Sequence, residues 1–238
     1  MALMSSGGPV TGAEETASDW TPRPQQEIEF EADITVHVNF NYLLYLPEGY
    51  ESEGESWPLI LFLHGSDGTG DDLSVLKTKG PPKIVETEQG FPFIVVSPQS
   101  PEREWDTAAL NALLDDIIAK HNVDEDRIYL TGLSMGGFGA WALAAAHPER
   151  FAAVVPVCGG GDIRTAERLK DLPHWVFHGA RDLSIPVSQS ERMVRAIEKV
   201  GGNVKFTKYP HSGHNAWTKT YSNPRLYEWL LEQKRSAE

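Results

Sequence analysis

One cysteine, Cys158, stands in the 238 residues. No intrachain disulfide can form, and the compartment stays open, because exported enzymes also do without disulfides. No apolar run is long enough to cross a bilayer. Basic residues are few: 21 Lys and Arg stand against 34 Asp and Glu, for a net charge of −13. Nucleic acid and anionic membrane surfaces both need a basic face, so neither is expected as a partner. Residues 1–18 do not read as a signal peptide, having no basic start and no apolar core. Residues 1–26 are rich in Gly, Ser, Thr, Ala and Glu, and are expected to be a disordered linker or leader. The expectation is that the chain is the catalytic part of a longer exported protein. Residues 27–238 are read as one domain, a size that a single α/β unit reaches without splitting. There is no H-E-x-x-H helix and no cysteine cluster, so no metal and no cofactor are expected, although His211 and His214 are near neighbours.

What is present centres on one hexapeptide, Gly132-Leu133-Ser134-Met135-Gly136-Gly137. Residues 127–131 before it form a β-branched and apolar run that reads as a buried strand. Residues 138–147 after it are rich in Ala, Leu and Trp, and read as a buried helix. A G-x-S-x-G between strand and helix is a nucleophile elbow. The turn is so sharp that neighbouring side chains must be absent, and it lifts the serine oxygen clear of the sheet. It also leaves the Met135 N–H at a helix N-terminus, where developing negative charge is favoured.

The rest of the chain supplies a frame for that turn. Residues 27–38 alternate apolar and charged, the period of a half-exposed antiparallel strand, and residues 39–47 form a second. Residues 58–63 are continuously apolar, as a central parallel strand must be. Residues 93–97, 151–157, 174–178 and 204–209 read as further strands. Residues 107–121 carry the stripe Leu110, Leu113, Leu114, Ile117 and Ile118 of an amphipathic helix. Helices are also expected at 188–200 and 226–231. The fold class is therefore α/β: a mostly parallel sheet, antiparallel N-terminal strands and helices on both faces.

A serine hydroxyl needs a base, and the base needs an acid to hold its tautomer. Such groups gather at the carboxyl ends of strands. Asp182 follows the strand at 174–178 by four residues, and chain order favours it over its rival Asp162. His214 follows the last strand in a tight loop with Gly213, and is favoured over His211. The second oxyanion donor in such an architecture comes from the loop after an early central strand. That loop is His64-Gly65-Ser66-Asp67-Gly68, which selects the backbone N–H of Ser66 beside that of Met135. The remaining histidines read as structural: His64 braces its loop, His121 and His147 end helices, and His178 packs near the acid loop. Cys158 reads as a small core residue.

Together, the hexapeptide, His64-Gly-Ser, His178-Gly-Ala-Arg-Asp182 and Ser212-Gly-His214 resemble the α/β-hydrolase superfamily. More narrowly, the chain resembles single-domain bacterial esterases of the predicted-peptidase, polyhydroxybutyrate-depolymerase-like and feruloyl-esterase-like groups. The resemblance implies carboxylic-ester hydrolysis by Ser134, His214 and Asp182 through an acyl-enzyme, with Ser66 and Met135 as oxyanion donors and no cofactor. The partner it implies is a small-molecule ester. Residues 159–172 leave no room for a large cap domain, so an open site for small or soluble, short-acyl esters is expected. Feruloyl or acetyl groups on plant polysaccharide are the alternative, and a serine peptidase is a further one. Trp105 and Trp217, on loops near strand ends, are the candidates for pocket walls.

Overall fold

The computed structural model describes residues 37–51 and 54–235. Seven strands in this part form one sheet: β1 (Asn41–Tyr45), β2 (Trp57–Leu63), β3 (Ile94–Gln99), β4 (Val123–Leu133), β5 (Ala153–Val157), β6 (His174–Gly179) and β7 (Val204–Tyr209). Their spatial order is β1-β3-β2-β4-β5-β6-β7. β1 runs antiparallel to β3, and every other pairing is parallel. The expected linker at 1–26 lies outside the described residues. So does the expected strand at 27–38, except for His37 and Val38, which are not in a strand.

Alternation along the strands sends successive side chains to opposite layers. Leu59, Leu61 and Leu63 of β2 join one core. Its helical side comes from α2 (Thr107–Lys120) through Leu110, Leu114 and Ile117, from α3 (Met135–Ala146) through Trp141 and Leu143, and from α5 (Ser188–Lys199) through Met193 and Ile197. Ile60 and Phe62 join the other core. There they meet Ile84 of α1 (Gly80–Val85), Tyr221 of α6 (Trp217–Tyr221), and Leu226 and Leu230 of α7 (Pro224–Leu231). Both faces of the sheet are thus covered, which is why the central strands are apolar throughout.

Between β5 and β6 lie only the short turn Ile163–Thr165 and α4 (Ala166–Leu169). This is the small helical insert that the spacing allows, and no cap domain occupies the segment. Two short helices differ from the reading of the sequence. α1 begins Gly-Pro-Pro, and the prolines occupy first-turn positions where a missing N–H does no harm. α6 includes Trp217, so this residue sits on a helix rather than a loop.

Candidate active site

β4 ends at Leu133, and α3 begins at Met135. Ser134 alone makes the turn, with φ 55° and ψ −116°. A non-glycine residue in this region stores about 1–3 kcal/mol of strain, which the surroundings must hold. They hold it through Ser134 N–H donating to Val157 O at 2.9 Å and Gly137 N–H donating to Ser134 O at 2.9 Å. The glycines are required by crowding: a Cβ on Gly132 would overlap the Gly136 carbonyl, and one on Gly136 would overlap that of Leu63. The elbow is pressed backbone to backbone against β2.

The three residues named from chain order meet here. His214 Nε2 lies 2.9 Å from Ser134 Oγ, and His214 Nδ1 lies 2.7 Å from Asp182 Oδ2. A carboxylate only accepts, so Nδ1 carries the proton and bare Nε2 accepts from the serine hydroxyl. Asp182 Oδ1 accepts from Ser184 N–H and Ile185 N–H, both at 2.9 Å. Burial pushes the Asp182 carboxyl pKa up, but bonds from His214, Ile185 and Ser184 outweigh this and hold it below the usual carboxylate range. The rival acid is engaged elsewhere. Asp162 caps the turn at Ile163–Thr165 by accepting from Arg164 N–H, and pairs with the Arg164 guanidinium.

Ser66 and Met135 both line the cleft that holds Ser134 and His214. Each is the first residue of a helical turn, Ser66 of Ser66–Gly68 and Met135 of α3, so neither N–H has an acceptor within its own turn. The first of these loops is braced by His64. Its Nδ1–H donates to Gly65 O at 2.6 Å, and its Nε2 accepts from Ser100 N–H at 2.9 Å. These partners set its tautomer, and burial lowers its pKa despite the bond to Gly65.

The cleft has a volume of about 730 Å³. Trp105 forms part of its wall, its ring tilted against that of His64 and donating Nε1–H to His64 O at 3.4 Å. Trp217 does not line it. Its ring packs perpendicular to the His214 imidazole at 5.1 Å between centroids. The sequence reading missed Phe138, Arg103, Glu104 and Ile185, which also line the cleft. Gly139 was the available signal: a Cβ there would come within 2.6 Å of Trp105, so the helix leaves space for that ring.

Cys158, His178 and Asp182 bring three possible ligand atoms within 4.8 Å of one another. Each already has a protein partner. The Cys158 thiol donates to His214 O at 3.2 Å, and burial pushes its pKa up to about 11, which keeps it a thiol. His178 contacts Ser190, Ile185 and Asp182.

The family model described as "Putative esterase" matches residues 35–220. The chain is similar to "Probable feruloyl esterase C" of Aspergillus terreus, with 28% identity over 187 residues that cover 75% of this chain and 68% of that protein. It is also similar to "Poly(3-hydroxyalkanoate) depolymerase C" of Paucimonas lemoignei, with 26% identity over 51% of this chain and 32% of that protein. A crystal structure of a thermostable esterase superposes with a TM-score of 0.70 at 34% identity, over 82% of this chain and 59% of that one. The chain therefore spans about three fifths of that solved structure. Matched along most of its length, the chain belongs to the Esterase family, carboxylic-ester hydrolases of the α/β-hydrolase fold.

Proposed function

We propose that the protein hydrolyses small or soluble, short-acyl carboxylic esters through an acyl-enzyme on Ser134. One observation carries this reading: the continuous chain from Ser134 Oγ through His214 to Asp182, with links of 2.9 and 2.7 Å, at an open cleft. Ser134 Oγ attacks the ester carbonyl as its proton passes to His214 Nε2. The oxygen that gains charge faces the N–H groups of Ser66 and Met135. The imidazolium, steadied by Asp182, gives its proton to the departing alcohol. Water then attacks the acyl group, His214 takes its proton, and Ser134 regains a hydrogen as the acid leaves.

The open cleft and the short β5–β6 connection support small, soluble esters over long-chain lipids. A second reading, an aromatic acyl group such as ferulate on polysaccharide, is favoured by Trp105 and Phe138 in the cleft wall. Turnover of p-nitrophenyl acetate and butyrate, methyl ferulate and an aminoacyl anilide separates the readings. The acetate and butyrate are expected to react fastest. A clear preference for methyl ferulate would replace the short-acyl choice with the aromatic one. Cleavage of the anilide alone would contradict ester hydrolysis.

A further inference from the structure

His178 stands beside the proposed chemistry without taking part in it. It lies within β6, and its side chain is wholly buried. Nε2 lies 3.0 Å from Ile185 O and 3.2 Å from Asp182 Oδ2. Both partners are acceptors, so the proton of a neutral ring belongs on Nε2. With the proton on Nε2, the single hydrogen of Ser190 Oγ turns to Nδ1 at 2.8 Å and away from Gly159 O, which the hydroxyl also reaches at 2.7 Å. Ser190 is itself fully buried. The ring is therefore clamped from both sides, by the acid loop at one nitrogen and by α5 at the other.

The oxygen it approaches is Oδ2, the same atom that receives His214 Nδ1–H. Asp182 thus accepts three N–H bonds, from Ser184 and Ile185 on Oδ1 and from His214 on Oδ2, and the His178 Nε2–H that bonds Ile185 O stands 3.2 Å from Oδ2 as a fourth positive edge. We propose that His178 is a positioning residue for Asp182: its Nε2–H sets the rotation of the carboxylate and moderates the charge that His214 feels. The proposal rests on the reading of Asp182 and His214 as acid and base. It assigns a role to a histidine that neither attacks, protonates nor touches substrate.

The groups that face this ring are Asp182 from its own loop, His214 from the loop after β7, Cys158 from the end of β5, and Ser190 from α5. Burial lowers the pKa of His178 despite contacts with Ile185 and Asp182 that raise it, so the neutral ring is the working form. Cys158 is held as a neutral thiol. Asp182 is then the charged neighbour, and its charge is shared between two imidazoles. Removing one donor leaves more of that charge for the other. The acidic limb of activity must then move to higher pH.

Two variants test this. His178→Gln keeps an N–H at the reach of Nε2, whereas His178→Leu removes it. With p-nitrophenyl acetate, kcat of His178→Leu is expected to fall roughly 10- to 100-fold while KM stays near that of the unchanged enzyme. Its acidic limb is expected to move up by roughly half a pH unit. His178→Gln is expected to recover most of kcat and return the limb. Imidazole titration by NMR gives the same readout without substrate, and cooperative thermal unfolding verifies that each variant is folded. A folded His178→Leu with an unmoved limb and titration overturns the proposal, whatever happens to kcat. Equal losses in both variants overturn it too. If the unchanged protein hydrolyses no ester, the proposed function fails, and the NMR comparison still decides the role of His178.

Discussion

At the scale of single residues, the site depends on atoms held where they would not rest unaided. Ser134 occupies a backbone region that residues with side chains avoid, and its oxygen ends 2.9 Å from an imidazole nitrogen. Ser134→Ala should lower kcat by roughly 10⁴-fold or more with an unchanged unfolding temperature, measured by ester assay and calorimetry. Ser66 offers a sharper test because its proposed contribution is a backbone N–H. Ser66→Ala keeps that donor and should be mild. Ser66→Pro removes it and should cost roughly 10²- to 10³-fold in kcat. Gly65 before it is extended, with ψ 176°, a geometry that a following proline accepts. The loss therefore reports the donor rather than a broken loop. These assignments were legible because the residue types, their order and their strand-end positions coincided. Trp217 was misplaced because the sequence says that an aromatic is near a site, not which side of the histidine it takes.

At the scale of elements, β4, the elbow and α3 act as one rigid unit locked to β2. Gly136→Ala would drive a methyl group into the Leu63 carbonyl, with no side chain free to move aside. It should cost about 4 kcal/mol or more, read as a lowered urea midpoint or absence of folded protein. Period and composition gave β7 its observed bounds and ran one residue past the end of α5, to the cap Val200. Shorter or punctuated elements escaped. α6 has five residues, too few to show a period, and α1 hides behind two prolines. β4 begins at Val123 rather than at residue 127, because Glu125 and Asp126 are exposed and the half-buried Asp124 is paired with Arg127, so polarity there costs a strand little. The cleft lining was not legible at all in Arg103 and Glu104, since a loop sequence does not reveal where its side chains point.

At the scale of the whole molecule, the mostly parallel sheet brings the loops after β4, β6 and β7 together at its strand ends and buries its core. That burial makes stability depend on pH. His174 is buried against Trp141, and burial lowers its pKa to about 4. Below about pH 6.5 the unfolded chain takes up a proton that the folded chain refuses until about pH 4. Stability should therefore fall by roughly 3 kcal/mol between these values and gain no further loss from this group below them. His174→Phe, which keeps the stacking, should flatten that part of a urea-midpoint against pH curve. Asp182 acts in a lower window: its carboxyl pKa is depressed, so its contribution is present above the usual carboxylate range and is lost as pH falls through its folded value.

The most direct test of the account is mass spectrometry of the protein quenched during turnover of p-nitrophenyl acetate, followed by peptide mapping. An acyl-enzyme on Ser134 gives one acetyl group on the peptide that carries this serine, and none in Ser134→Ala. Undiminished hydrolysis by Ser134→Ala, or an acetyl group on a different residue that turns over at the catalytic rate, would contradict it.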